Sequence, residues 1–498
     1  MKNRKIMLVL ILCLVTGFLF AAAEKEADTS GTGRPTIKMF LYDWPSKDDA
    51  FVKEAIDDAL DMTIEWVHCP ADEGWAAQER LLAADPTIDV FYLNKTRYTD
   101  FRAKGMLLDV GSYINTGKYP SIDALSGPQA EIAKDSAGKL YGVPYSAYGA
   151  AAGSNLFYLI LRGDWLEEEG LAVPETIDDL DAILEAFKQR NPDKYPLLDQ
   201  EGYNYYASYE IISRSFSESG GAWYFDEATG MMTHPVLHPQ FKNYVAKMAE
   251  WYAKGYLHPQ FLENASQSMV QQLMMGDEVG AVFAWTTDPI QVNKQWADEN
   301  QDKIFVPVIG GLEGPAGEGV LGRPRISTYF GINANTKNPE AVLKAIDFFL
   351  SDEGTWLANQ GVEGRNYSFD ADGKLVPNPE FDYQSMYNPY TNGNLFKDVI
   401  TGNHYLDTQR KFWNEIFFSP ERLAQVYFDP DSEIVYDWSG KETVNLKSQV
   451  ETFIMETMTN TIIGRAKVSD WDKAMEQAKK IGLQKMMEER TELYLANK

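Results

Sequence analysis

Hydrophobic and polar positions alternate along the first part of the chain in a way that predicts alternating strands and helices. Apolar runs at 36–42, 62–69 and 88–94 have the composition of buried strands, and the segments 49–60 and 74–83 between them carry apolar residues at helical spacing. Strands that alternate with helices indicate parallel strands joined by right-handed crossovers. The pattern therefore predicts an open α/β sheet near the start of the folded chain.

Boundary signals show that this alternation continues. Thr176 and Asp179 match a capping box in front of an amphipathic stretch, and Ser469 with Asp472 repeats that pattern near the carboxyl terminus. Apolar, β-branched runs predict two further strands, at 280–285 and 304–310. Two segments rich in glycine and proline or in small and aromatic residues, 138–151 and 311–326, suit chain crossings between two lobes.

The beginning of the chain has the pattern of a secretory signal peptide, at 1–23. Positive charges precede an apolar run at 6–20, and small residues follow it. We expect cleavage after Ala23, export of the mature chain and a flexible polar leader at 24–34. An uncleaved anchor is the weaker alternative because the apolar run is short. Lipid attachment at Cys13 is also weaker, because no small residue precedes this cysteine.

Charge narrows the classes of partner. The chain has 46 Lys and Arg against 73 Asp and Glu, a formal net charge of −27. Binding phosphate backbones needs clustered cations, so this balance argues against a nucleic-acid partner. Hydrophobic residues at 44% are typical of a globular protein. Aromatic residues at 13% are a generous share, which directs attention to where they fall.

A search for catalytic and metal-binding signatures finds none. The chain has no G-x-S-x-G elbow, no phosphate-binding P-loop, no H-E-x-x-H and no C-x-x-C. His234 and His238 are each followed by proline, which favours a turn over a metal-binding helix. Asp370 and Asp372 resemble a calcium loop, but Lys374 occupies the next ligand position, so this segment is also predicted to be a turn. We expect no metal, no cofactor and no enzymatic activity.

Several aromatic residues follow predicted strands directly, where open parallel sheets bind ligands. The first strand ends in Tyr42, Asp43 and Trp44, and the 280–285 strand ends in Trp285. Flat rings beside polar side chains suit sugars, whose C–H faces pack on the rings while their hydroxyl groups need hydrogen bonds. The competing interpretation is that these rings belong to the core, as most tryptophans do.

Five more residues are candidates for ligand contact by the same reasoning, and a position in the core is again the competing interpretation. Asn94 and Tyr98 follow the third strand, and Tyr145 with Tyr148 lie in the first crossing segment. Trp223 follows a Gly-Gly turn of the kind that borders clefts.

Five blocks of sequence, in their order and spacing, resemble the extracellular solute-binding proteins of carbohydrate ABC importers, the family that includes maltose-binding protein. The first block is GKLYGVPYSAYGAAAGSNLFYLILRGDWLEEEGLAVPETIDDL. The blocks are residues 138–180, 274–288, 327–357, 362–374 and 461–489. The last of them is similar to the terminal helix pair of a long subgroup that imports oligosaccharides and uronate-containing sugars.

The resemblance implies an α/β, two-lobed periplasmic-binding-protein fold of type II, with a ligand cleft between lobes joined by hinge crossings. Residues 35–147 and 327–352 would form the first lobe, and residues 148–326 and 353–498 the second lobe with the carboxyl-terminal helices. The ligand would contact the candidates named above, and Arg325 and Arg365 would serve a ligand that carries a carboxylate. Many relatives have a calcium loop where this chain has NPDKYPLLD, which argues against a structural calcium.

The expected function is that of an exported, monomeric binding protein that captures a sugar or oligosaccharide and delivers it to the permease subunits of an ABC transporter. Two alternatives stay open. One is a secreted glycoside hydrolase or lyase that uses two unidentified carboxylates, since carboxylates are abundant here. The other is a binding protein for a non-sugar solute such as a peptide or an anion.

Overall fold

A computed structural model describes most of the chain after residue 32. The described ranges are 33–43, 49–70, 74–135, 137–145, 157–200, 207–263, 267–285, 301–308, 311–317, 321–323, 328–383, 426–428 and 440–497, with single residues between some of them. Trp44, Tyr148, Arg325, Cys13 and the expected signal peptide lie outside the described residues.

The first sheet is built from five strands. They are β1 (Thr36–Asp43), β2 (Thr63–Pro70), β3 (Val90–Asn94), β4 (Val143–Tyr145) and β12 (Thr328–Ile332). Their order is β2-β1-β3-β12-β4, in which β12 runs antiparallel to both neighbours and the other pairs are parallel. The strands and crossovers predicted from the start of the chain are therefore confirmed.

Helices cover this sheet and close a first hydrophobic core. They are α1 (Ala50–Leu60), α2 (Gly74–Ala84), α3 (Lys95–Ala103), α4 (Pro120–Ala133), α10 (Pro339–Leu350) and α11 (Asp352–Gln360). A hairpin of β13 (Tyr367–Phe369) and β14 (Leu375–Pro377) follows, then a short 3₁₀ helix at Pro379–Phe381. Ala358 belongs to this core, so the first lobe extends past the boundary predicted at residue 352, because α11 packs on α1 and α10.

The second sheet has four strands with a separate core. They are β5 (Phe157–Arg162), β6 (Leu197–Asp199), β9 (Ala281–Trp285) and β10 (Phe305–Pro307). The order is β10-β5-β9-β6, with β5 antiparallel to β10 and β9, and β6 parallel to β9. The strand expected over 304–310 is shorter in the structure.

The second lobe joins the middle of the chain to its end. Its helices are α5 (Gly163–Glu169), α6 (Ile177–Arg190), α7 (Ala207–Phe216), α8 (Phe241–Ala253), α9 (Gln267–Met275), α12 (Thr443–Ile462), α13 (Trp471–Ala478) and α14 (Gln484–Asn497). A π-helical turn, Lys479–Leu483, lies between the last two, and 3₁₀ turns occupy Pro235–Leu237, Pro259–Glu263 and Val468–Asp470. Two small ladders complete it: β7 (Tyr224–Asp226) with β8 (Met231–Thr233), and β11 (Leu321–Arg323) with β15 (Val426–Phe428).

The helix boundaries show where local signals decide the structure. Thr176 and Asp179 form the predicted capping box at the start of α6. Ser469 does not cap α13: it lies inside the preceding 3₁₀ turn, and no side chain caps this helix. Asp370 accepts hydrogen bonds from the backbone of Asp372 and Lys374 and closes the predicted turn between β13 and β14.

Candidate ligand-binding site

The first sheet presents one edge at which several predicted residues meet. Because β1, β3 and β4 are parallel, their carboxyl ends lie at the same edge, and β12 begins there. Thr328 pairs with Asn94 on one side and with Tyr145 on the other. We call this the first carboxyl edge; it is where α/β sheets hold ligands.

Asn94 lies at the first carboxyl edge with a partly structural role. It is the N-cap of α3, and its side-chain oxygen accepts a hydrogen bond from the backbone N–H of Arg97 at 2.9 Å. An N-cap carboxamide satisfies one of the free N–H groups at a helix start. The side chain is half-buried, so its placement is compatible with the predicted contact to a ligand.

Tyr98 and Tyr145 are buried, which corrects the expectation that their rings line a ligand site. Tyr98 is 0% exposed, and its ring stacks on Tyr329 with centroids 3.8 Å apart. Burial raises the pKa of its hydroxyl group to about 12, and that oxygen accepts a hydrogen bond from the backbone N–H of Tyr141. Tyr145 is 3% exposed and packs on Phe330, with ring centroids 4.7 Å apart. Both rings leave no surface for a ligand in this structure.

The second sheet has a corresponding edge. The carboxyl ends of β6, β9 and β10 lie on one side, together with the amino end of β5. Trp285 pairs with Phe157 there, and Asp199 pairs with Phe283. The backbone therefore places the predicted Trp285 at this second carboxyl edge. The side chains of Tyr42, Asp43 and Trp285 lie outside the described residues, so their contacts stay predictions.

Asp199 is a residue at this edge that the sequence reasoning missed. It is fully buried at the end of β6. Its carboxylate accepts hydrogen bonds from the N–H of Ser208, at 3.0 Å, and from the Ser208 hydroxyl group, which also lies 2.8 Å from the hydroxyl group of Tyr244. Because Ser208 is in the first turn of α7, the carboxylate satisfies a free N–H at that helix start. The one signal for it was an acidic residue ending the apolar run L-L-D.

Trp223 lies in a cluster with the last helix. Its ring stands under the guanidinium of Arg490 at 4.5 Å and meets the ring of His234 edge-on at 4.8 Å. Arg490 also pairs with the buried Asp431. Burial, and after it the charge of Arg490, lowers the pKa of His234 to about 3. These contacts give the half-buried Trp223 a structural role that the sequence alone did not indicate.

Arg365 is held by a carboxylate of the protein. Its Nε and Nη2 atoms donate to the two carboxylate oxygens of Asp49, at 2.9 and 3.3 Å, and Asn366 donates to the same group at 2.9 Å. These hydrogen bonds, first of all the one from Arg365, lower the pKa of Asp49. Asp49 is the N-cap of α1. Arg365 is therefore already paired through Nε and Nη2, and among the described residues no hydrogen bond involves its Nη1 atom.

Two chain crossings connect the two lobes. Eleven residues, 146–156, join the carboxyl end of β4 to the amino end of β5. Four residues, 324–327, lead from β11, which packs on α7, to β12. At about 3.6 Å per residue, the second crossing keeps β11 within about 18 Å of the first carboxyl edge. The first crossing thus joins the carboxyl edges of the two sheets, and the second joins the first carboxyl edge to the β11–β15 ladder beside α7.

The described residues offer no metal centre. Among them, no group of three or more His, Cys, Asp or Glu side chains could hold a metal ion. No helix in the described part of the chain is long and apolar enough to cross a membrane.

The chain has two separate hydrophobic cores, each built on one sheet, and a chain crossing joins the carboxyl edges of the two sheets. This is the arrangement of two-lobed solute-binding proteins. The chain belongs to the bacterial extracellular solute-binding protein family, whose model matches residues 46–356. The expected family and the expected two-lobed α/β fold are confirmed.

Two named relatives share about a quarter of their aligned residues with this chain. The polygalacturonan/rhamnogalacturonan-binding protein YtcQ of Bacillus subtilis (strain 168) is 24% identical, over 99% of both chains. The lipoprotein LipO of the same organism is 25% identical, over 68% of this chain and 69% of its own length. A solved structure of an HMO-binding, ABC-transporter-associated solute-binding protein from Bifidobacterium longum infantis ATCC 15697 matches with a TM-score of 0.65 and 19% identity, over 93% of this chain and 99% of that one.

Proposed function

We propose that this protein captures an oligosaccharide outside the cytoplasmic membrane and delivers it to the permease of an ABC importer. The observation that carries the proposal is the arrangement of the two carboxyl edges, which a crossing of eleven residues joins end to end. A ligand between the edges would touch both lobes at once. The protein is proposed to be exported, monomeric and without enzymatic activity.

The relative that spans the full length of the chain supports a choice of ligand class. It is named for binding polygalacturonan and rhamnogalacturonan, and fragments of these polymers are the first ligands to test. Trp44, which follows β1 in the sequence, and Trp285, at the end of β9, would stack on sugar rings at about 0.5–1.5 kcal/mol each. Since a micromolar ligand needs about 8 kcal/mol, hydrogen bonds and lobe closure must supply the rest.

Closure would work as a population shift. If the ligand contacts both lobes only in a closed form, binding favours that form by the difference in affinity between the two forms. The crossings at 146–156 and 324–327 are the proposed hinges. The closed, loaded protein would then be the form that the permease recognises.

Isothermal titration with oligogalacturonides of two to eight residues tests the proposal. We expect saturable binding with the ligand recovered intact, and Trp285→Ala should weaken it at least about tenfold with little change in melting temperature. Trp356→Ala, in the half-buried part of α11, is the control and should keep the affinity. Shortened products would instead support a hydrolase or lyase. Binding of peptides or small anions in place of every oligosaccharide tested would support a non-sugar solute.

A further inference from the structure

An aromatic side chain stands exposed where α1 begins. Phe51 lies in the first turn of α1 and is 48% exposed. Because α1 connects the carboxyl end of β1 to the amino end of the parallel strand β2, this first turn lies on the side of the first carboxyl edge. A ring exposed at this position offers an apolar face on which a sugar ring could stack.

The guanidinium of Arg365 is stacked beside this ring. It lies 4.7 Å from the centroid of Phe51 and 4.1 Å from that of Phe381. Its Nε and Nη2 atoms are fixed by Asp49, whereas no acceptor among the described residues lies on its Nη1 atom. The side chain is 32% exposed. Asp49 thus fixes the fork, and among the described residues its Nη1 edge has no hydrogen-bond partner.

We propose that Phe51 and Arg365 form an outer subsite that binds a carboxylated sugar ring beyond the main ligand cleft. The apolar face of the sugar would stack on Phe51, and its carboxylate would accept a charge-assisted hydrogen bond from Nη1 of Arg365. Asp49 would serve as a positioning residue, because it fixes the plane of the guanidinium. This inference rests on the proposed function and narrows its substrate class to uronate-containing oligosaccharides long enough to reach the rim.

Length and charge of the ligand separate this subsite from the central one. A short oligogalacturonide would fill only the cleft, whereas a longer one would also reach Phe51. We therefore expect Phe51→Ala and Arg365→Met to weaken binding of the longest bound oligogalacturonides about two- to tenfold, the worth of one stack or one exposed charge-assisted contact. The affinity of the shortest one that binds should be unchanged. Arg365→Lys should recover only part of the loss, because a lysine cannot pair with Asp49 in the same planar way.

Matched variants control for nonspecific effects. Phe369→Ala removes a ring of similar exposure, 44%, from the β13–β14 hairpin of the same lobe. Arg102→Met removes an arginine paired with Asp135 at 3.0 Å, near the end of α3 that points away from the edge. Both controls should bind all lengths like the wild type.

Several results would overturn the subsite. One is that Phe51→Ala binds oligogalacturonides of every length with unchanged affinity. Another is that Phe51→Ala loses the same affinity for all lengths. A third is that Arg365→Met loses as much affinity for neutral oligosaccharides as for oligogalacturonides. If Arg365→Met does not fold, Phe51→Ala and Arg365→Lys still decide the question. Failure of the wild-type protein to bind any oligosaccharide would instead refute the proposed function, so the two failures are distinguishable.

Discussion

Each lobe has a sheet with a carboxyl edge, but the two lobes are stabilised differently. Among the described residues, the buried Asp, Glu, Lys and Arg side chains all belong to the second lobe: Arg162, Asp199, Asp431 and Glu489. The buried polar side chains of the first lobe are neutral, as Gln78, Asn333 and Asn366 illustrate. The first lobe is therefore an apolar core with neutral polar groups, and the second contains buried charged groups.

The second core is built from two segments of the chain. It combines residues from 158–312 with residues from 450–487. Arg162 pairs with Asp277 within the first segment, and Arg490 pairs with Asp431 near the end of the chain. The guanidinium of Arg490 also lies over the ring of Trp223 and so connects the two segments. Because a buried charge left without its partner is costly, we infer that these pairs fix the arrangement within each segment.

The substitution with the largest expected effect on stability is Arg162→Ala. The guanidinium is 1% exposed, donates to Asp164 from Nε at 2.8 Å and lies 4.4 Å from the ring of Trp165. Its removal leaves Asp164 without the cation that it pairs with and leaves Asp277 with Lys303 alone, so we expect a loss of about 3–5 kcal/mol in the free energy of unfolding of the second lobe. Hydrogen exchange of peptides from β5 and β9, compared with β1 and β3, would locate the loss.

Arg102→Ala is the matched change in the first lobe. Arg102 is more exposed than Arg162 and pairs with Asp135, so we expect a loss of about 1 kcal/mol or less. Equal losses in the two variants would remove the distinction between the lobes.

The second test uses pH and His234, which is buried beside Trp223 in the second lobe. Its pKa of about 3 in the folded state lies below the ordinary value of about 6.5. The unfolded chain therefore binds more protons between these values, and the stability that depends on neutral His234 is present above pH 6.5 and lost as the pH falls towards 3. The expected loss from this residue at pH 5 is about 2 kcal/mol.

Urea unfolding at pH 7 and pH 5 measures this effect. His234→Asn cannot titrate in this range, so the decrease in unfolding free energy between the two pH values should be about 2 kcal/mol smaller than in the wild type. The absolute stability of the variant does not enter this comparison. Identical pH dependence in the two proteins would show that His234 remains hydrated or charged in the folded state.

The sequence was sufficient where local periodicity determines structure. The strands β1, β2 and β3 and the helix α1 are long enough to show their hydrophobic period, and the family blocks fixed the fold. The strands β4 and β6 have three residues each, too few for an alternation to appear. Local patterns therefore predicted the longer strands of both sheets better than the shortest ones.

Whether a single aromatic or charged residue packs inside the protein or faces a ligand depends on contacts with residues that are distant in the sequence. Tyr98 follows a strand, as a binding residue would, but its ring meets Tyr329, which is 231 positions away. Arg365 likewise pairs with Asp49, 316 positions away. No local pattern distinguishes a ring or a guanidinium with such a partner from one that faces a ligand.

The smallest expected effect concerns a feature that both lobes share. In each lobe, a carboxylate of one helix accepts hydrogen bonds from the first turn of another helix. Glu489 accepts hydrogen bonds from the N–H and the hydroxyl group of Thr443, at 2.8 and 2.7 Å, where α12 begins. Asp347 accepts from the N–H groups of Ser121 and Ile122, at 2.8 and 2.9 Å, where α4 begins. Burial opposes the charge of both carboxylates. It raises the pKa of Asp347. At Glu489 burial is the largest single contribution, but the hydrogen bonds from Thr443 and Glu442 and the charge of Lys485 together outweigh it, and the pKa is lowered.

The ionised carboxylate is therefore net favourable in the second lobe and net unfavourable in the first. We expect Glu489→Gln to cost about 1 kcal/mol of unfolding free energy at pH 7, and Asp347→Asn less than about 0.5 kcal/mol. Glu488→Gln, an exposed neighbour on α14, is the control and should have no measurable effect. Hydrogen exchange at the first turns of α12 and α4 reads each cap separately. A larger loss at α4 than at α12 would mean that buried charge does not distinguish the lobes at their helix starts.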